Sequence, residues 1–236
     1  MLKRGIAVMM LLIVTTAAAY YLLVPRAEDA SLREKQNGID LLEMYSRNND
    51  LAGWLKVEGT CIDYPVMVGE KYLYRNFDGD QDKSGSLFVE DDWEEGDLCT
   101  LIYGHNMWMY GTMFNPLHKF TDRDFFQKNR KIIFYVIKGR ESGAECVSVE
   151  KRVYETICCI QTDVNEWNFA GCQYITSPEE AESFLDSCLS RSLFAAETQD
   201  IQSEEIIVLS TCSYHVGGDG GRLLLVGRLV GRGHKN

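Results

Sequence analysis

From residue 48 onward the chain predicts a mainly β domain, barrel or sandwich, on three observations. Short runs rich in β-branched and aromatic residues recur, Gly, Asp and Asn clusters punctuate them, and only two stretches read as helix. The strand candidates in order are WLKVEG, CIDYPVMV, SLFVE, CTLIYG, KIIFYVIKG, the long VYETICCIQ, IIVL and RLLLVGRLV. A length of 236 residues with 45% apolar content suits one globular domain of ordinary size plus an appendage.

The appendage is N-terminal. After Met1–Arg4, with its Lys3 and Arg4, residues 5–24 (GIAVMMLLIVTTAAAYYLLV) carry no charge. As a helix, twenty residues reach about 30 Å, the thickness of a bilayer's hydrocarbon core. Ala17 and Ala19 form an A-x-A pattern that would also suit a cleaved signal peptide. The apolar character continues through Val24, however, which favours a retained transmembrane signal-anchor. Lys3 and Arg4 precede the span and Glu28 and Asp29 follow it, so residues 1–4 are expected in the cytoplasm and the rest outside the cell membrane. Residues 25–47 form a juxtamembrane segment, in which Leu32, Ile39, Leu42 and Tyr45 stand at near-helical spacing; Gly38 is its weak point. The domain proper spans 48–231, and 232–236 form a polar tail.

Two helical islands interrupt the strands. TDRDFFQK, residues 121–128, is read with Thr121 as N-cap. SPEEAESFLDSCLSRS, residues 177–192, has Ser177 as N-cap, Pro178 at the first helical position and Glu180 completing a capping box.

The net charge is −11 and no basic stripe appears, which excludes nucleic acid as a partner class. The eight cysteines (61, 99, 146, 158, 159, 172, 188 and 212) contain no C-x-x-C pair, which argues against a zinc ribbon or a thioredoxin-type site. No metal or other cofactor is expected. Cys158 and Cys159, neighbours in a strand, point to opposite faces and cannot easily bond each other.

In IIVLSTCSY the buried-type run stops at Leu209 and polarity begins at Ser210, so Cys212 stands at a strand end, held yet accessible. A thiol nucleophile needs a proton-handling partner. His234 lies in the tail, His118 in NPLHKF reads as structural or exposed, and His215 lies only three residues past Cys212, a minor candidate. His105, in LIYGHNM, mirrors Cys212 as the first functional side chain past a buried strand. Arg222 opens the final strand on the face of Leu224 and Val226, where a guanidinium needs an anionic or carbonyl partner.

Taken in order, NNDLAGWLKVEGTCIDYPVM, SGSLFVEDD, LIYGHNM, MFNPLHKF, LSTCSY and RLLLVGRLV resemble the sortases, and specifically class B, over residues 48–230. His after YG, Cys after LST and Arg ten residues later form the specific part of that resemblance. It implies a closed β-barrel of about eight strands, with N-terminal helices and a helix between the sixth and seventh strands. The activity implied is cysteine transpeptidation at a C-terminal sorting signal of secreted proteins. Cys212 would form a thioacyl intermediate, His105 would handle protons and Arg222 would hold the substrate carbonyl or oxyanion. Class B resemblance implies an Asn-Pro-x-Thr type pentapeptide as the motif, with an amine of a peptidoglycan precursor or a pilin as acceptor. Ser210 would line the substrate groove; Tyr74 stands where the family pattern implies an asparagine, which leaves a substrate contact there open.

Other cysteine enzymes fit less well. The C-G-S-C-W pattern of papain-like proteases is absent, and LSTC lacks the adjacent histidine of an L,D-transpeptidase motif. A tethered, catalytically silent binding module is the non-enzymatic alternative, against which the joint presence of Cys212, His105 and Arg222 speaks.

Overall fold

Ile206–Cys212 (β9) has six consecutive buried residues, because both faces of this strand are covered. A strand buried on both sides needs no polar alternation, and IIVL accordingly shows none. The same logic runs through Gly221–His234 (β10) at Leu223–Val226 and through Ile157–Ile160 of Ser148–Asp163 (β8).

The computed structural model describes residues 41–140, 147–194, 205–214 and 218–234. The remaining strands are Leu51–Val57 (β1), Asp63–Val68 (β2), Leu87–Val89 (β3), Cys99–Tyr103 (β4), Asn106–Met107 (β5), Thr112–Met113 (β6) and Lys131–Lys138 (β7). Eight of the ten close a barrel in the order β1-β2-β3-β4-β9-β10-β8-β7, with β7 returning to β1. β5 and β6 form a separate small hairpin. The pairs β2–β3 and β4–β9 are parallel and the rest of the barrel is antiparallel. Closure leaves no open sheet edge.

The barrel interior is filled by Leu55, Val66, Phe114, Phe134, Tyr154, Leu209 and Leu225 among others. A second cluster lies on the outer face of β4, β9, β10 and β8. There Leu101, Val208, Leu224 and Val226 meet the 3-10 helix Phe169–Tyr174 and the helix Pro178–Arg191. Cys158 joins this outer cluster and Cys159 the interior one, as expected of adjacent strand residues.

The other helices are Leu41–Arg47 (α1) and Arg123–Lys128 (α2), so Pro178–Arg191 is α3. α3 falls between the sixth and seventh barrel strands, and its capping box on Ser177 and Glu180 is formed in full. It buries Ala181, Leu185 and Cys188 at helical spacing. The cap of α2 differs from the sequence expectation: Asp122, not Thr121, accepts the Phe125 N–H, while the Thr121 hydroxyl donates to the carbonyl of His118. A carboxylate at the N-cap outcompetes the neighbouring hydroxyl, and Thr121 closes the preceding 3-10 turn (Asn115–Thr121) instead. β10 runs on to His234, past the Val230 where the apolar run stops and into the stretch expected as a polar tail. Among the described residues no helix is long and apolar enough to cross a membrane. The anchor at 5–24, and the juxtamembrane segment up to residue 40, lie outside those residues.

Candidate active site

Strand alternation assigns the faces at the end of β9. Ile206 and Val208 belong to the outer cluster and Ile207 and Leu209 to the interior. Ser210 and Cys212 therefore continue the outer face, and Thr211 and Ser213 the inner one. In β10, Leu224 and Val226 lie in the outer cluster, so Arg222 shares the face of Cys212. The two are direct cross-strand partners in the antiparallel ladder, a spacing of about 5 Å between Cα atoms. The Arg222 guanidinium is tied by Nη1 to the carbonyls of Asp219 (3.0 Å) and Gly221 (2.9 Å). Among the described residues it forms no ion pair, so its charge is met by carbonyl dipoles alone.

His105 arrives from β4. That strand pairs with β9 up to Tyr103 opposite Ser210. Two bonds extend the seam: Gly104 N–H donates to Ser210 O (3.1 Å), and the Thr211 hydroxyl donates to Gly104 O (2.8 Å). A side chain at 104 would put its Cβ 2.5 Å from a Leu87 methyl and 2.7 Å from the Phe114 ring, so only glycine lets the chain pass here. Nε2 of His105 lies 2.8 Å from the carbonyl oxygen of Leu73. A carbonyl can only accept, so Nε2 carries a hydrogen and Nδ1 is the ring atom left to take or give a proton. Leu73 sits in the 3-10 helix Glu70–Tyr74, and Gly85, at φ +58°, packs against its carbonyl where a Cβ would approach to 2.2 Å. The next residue, Tyr74, is 55% exposed and holds its ring 5.4 Å from the His105 ring.

The structure thus pairs Cys212 with Arg222 across the ladder, brings the backbone before His105 onto the end of β9, and sets Tyr74 beside the His105 ring. Ser210 is different: only 2% exposed, its hydroxyl has no hydrogen-bond partner among the described residues. His215 lies outside the described residues.

Environment separates Cys212 from the other described cysteines. Cys99, Cys158, Cys159, Cys172 and Cys188 are buried, Cys61 is exposed beside the carbonyl of Gly111, and Cys212 is half-buried; none forms a disulfide. Hydrogen bonding to the Cys172 thiol, and then burial, pushes the Cys99 thiol well up; Cys188 and burial do the same to Cys158. Burial pushes Cys159 up to about 12. Thiols held protonated in this way are poor nucleophiles.

Three residues that sequence reading did not assign also reach the site. The side-chain amide of Asn106, Nδ2, donates to the carbonyl of Cys212 at 2.9 Å, and Nε2 of His118 lies 3.1 Å from the same oxygen. Asn115 donates to Oδ1 of Asn106 at 2.7 Å. The NPLHKF segment carries no spacing signal that would announce this, since the contact spans 94 residues of sequence. Among the described residues, no group of His, Cys, Asp and Glu is placed to hold a metal ion.

Compared with known proteins, the chain is 30% identical to sortase B of Listeria monocytogenes over 200 residues, covering 81% of this chain and 74% of that one. The chain belongs to the class B sortases. Sortase B of Clostridium perfringens has the same fold, at a TM-score of 0.70 and 28% identity, over 81% of this chain and 100% of that one. A class B sortase of Streptococcus pyogenes involved in pilus biogenesis matches at a TM-score of 0.65 and 28% identity, over 82% of this chain and 99% of that one. No family model matches the chain. As a sortase, the protein is a cysteine transpeptidase, and its closed eight-stranded barrel is the sortase fold.

Proposed function

We propose that this sortase cleaves a C-terminal sorting signal of secreted proteins through a thioacyl bond on Cys212. The observation that carries the assignment is the pairing of half-buried Cys212 with Arg222 directly across the ladder, beside the loop that delivers His105. The Cys212 thiolate attacks the carbonyl after the signal's threonine. His105, protonated at Nδ1 while Nε2–H stays on Leu73 O, gives its proton to the departing amine. The incoming amine then returns a proton to Nδ1 as it attacks the thioester. Arg222, already oriented by the carbonyls of Asp219 and Gly221, has further N–H groups to offer the substrate carbonyl as it gains negative charge. Tyr74 lies tilted beside His105 and would shape the substrate side of the ring, whereas Ser210, expected to line the groove, keeps its hydroxyl buried beneath it.

The class B resemblance supports an Asn-Pro-x-Thr type motif and, as acceptor, an amine of a peptidoglycan precursor or of a pilin. The uncharged stretch 5–24 supports a single-pass protein of the cell membrane, N-terminus cytoplasmic and catalytic domain extracellular. Full-length protein incubated with an Asn-Pro-x-Thr peptide should gain the mass of the peptide's N-terminal fragment, lost again on adding an amine. No mass gain with wild type, or the same gain with Cys212→Ala, would refute the assignment.

A further inference from the structure

In a regular parallel ladder, the bond from Gly104 N–H to Ser210 O would be followed two residues on by a bond from the N–H of residue 106 to the carbonyl of Cys212. The chain turns away at that point into the β5–β6 hairpin, and the Asn106 side-chain amide stands on Cys212 O in place of a backbone donor. Asn106 is 9% exposed, and Asn115 occupies its Oδ1, which forces its NH2 group toward Cys212. His118 completes the arrangement, with Nε2 3.0 Å from Asn106 Nδ2 and 3.1 Å from Cys212 O. With hydrogen on Nε2 the ring donates to the Cys212 carbonyl; with Nε2 bare it accepts the second Asn106 hydrogen and steers the amide. In the first case the ring holds the oxygen directly, and in the second it acts on it through the Asn106 amide.

We propose that Asn106 and His118 are positioning residues that fix the nucleophile against its proton carrier. The inference rests on the assignment of Cys212 as nucleophile and His105 as acid. Asn106 adjoins His105 in sequence and its side chain holds the carbonyl of Cys212 itself, so this bond extends the Gly104–Ser210 and Thr211–Gly104 seam to the nucleophile's own residue. Without it the end of β9 is held on its β10 side, through Ser213 N–H to Gly221 O (2.9 Å), and on its β4 side only as far as Thr211, by the Gly104 N–H to Ser210 O bond and the Thr211 hydroxyl. The thiol would then sample geometries off the attack line, where a displacement of about 1 Å costs on the order of a hundredfold in rate.

The test is steady-state cleavage of a fluorogenic Asn-Pro-x-Thr peptide by full-length protein, with active sites counted by iodoacetamide labelling of Cys212. His118→Leu and Asn106→Leu should lower kcat per labelled site about 10- to 100-fold, leave KM within about 3-fold and keep the melting temperature near wild type. His118→Gln, which can still place an amide near Nε2, should recover most of the rate. A kcat per site within twofold of wild type for both leucine variants overturns the proposal. So does a loss that merely follows the loss of folded protein, or a His118→Gln enzyme as slow as His118→Leu. Cys212→Ala, run alongside, separates the two levels: if it still turns over, the nucleophile assignment fails and the positioning role with it. If it is dead while both leucine variants are normal, only the positioning role fails.

Discussion

At one end of the β9–β10 ladder Arg222 is met, among the described residues, by carbonyl oxygens, whereas at the other charges of both signs pair with one another. Buried Arg152 bonds Glu150 at 2.6 Å and lies 3.7 Å from Glu205, and Arg232 reaches both carboxylates. Among the described residues this closed end sets Arg152 and Arg232 against Glu150 and Glu205. The open end has one cation, one half-buried thiol and two buried hydroxyls, Ser210 and Ser213, without partners among the described residues. Unsatisfied polar groups weaken a fold, and the proposed thioacyl site would need donors that are not already used to receive a substrate carbonyl. The β9–β10 ladder therefore runs from a charge cluster that ties its far end to β8 to the strand end where the chemistry is proposed.

The largest effects should come from the open end. Cys212→Ala should abolish cleavage and transfer, at least about a thousandfold, with an unchanged melting temperature, because the strand end leaves little cavity. Cys61→Ala should stay near wild type. Equal loss in both, read by peptide cleavage, would mean that the thiols act as a set. Arg222→Lys keeps the charge and loses the planar fork. A fall in kcat of about 100-fold or more with KM nearly constant is expected, and a pure KM effect would assign Arg222 to ground-state binding.

At the closed end the response should be inverted. Arg152→Ala leaves Glu150 and Glu205 against a half-exposed Arg232, and should cost about 3–5 kcal/mol of stability by chemical denaturation, with kcat per folded molecule unchanged. A normal stability would show the cluster to be dispensable.

The same cluster sets an acid limit. Burial alone would raise the Glu150 carboxyl, but the bond and charge of Arg152, with Arg232 and Lys138, outweigh it and hold the group below its ordinary range. A depressed carboxyl stabilises the fold above the unfolded value of 4.5, and that stability is lost as pH falls through the lower folded value. Glu150→Gln should therefore flatten the fall in melting temperature below pH 4.5; an unchanged slope would place the acid sensitivity elsewhere.

The smallest effect belongs to Arg228→Ala. The Arg228–Glu182 pair ties β10 to α3 with Glu182 half exposed, and its loss should change stability by about 1 kcal/mol or less.

Much of this was legible in the sequence because local physics decided it. The runs CTLIY, KIIFYVIK and IIVL fall in the strands at 99–103, 131–138 and 206–212 for their β-branched and aromatic content, and α3 starts where Ser177, Pro178 and Glu180 require. Cys212, His105 and Arg222 were visible as chemical side chains placed at the ends of apolar strands. The ends of β8 and β10 were harder to read, since the inward residues there include Glu150 and Arg152, which look exposed until each is seen to neutralise the other. The tertiary structure adds the reason that Cys99 and Cys158 are poor nucleophiles, because burial and thiol pairing push both thiols up through contacts made across the fold. Only it could bring Asn106 and His118 to the Cys212 carbonyl. A hydrogen bond is fixed by position in space, and barrel closure brings residues 94 and 106 positions apart onto one oxygen, with no period or motif left along the chain to record it.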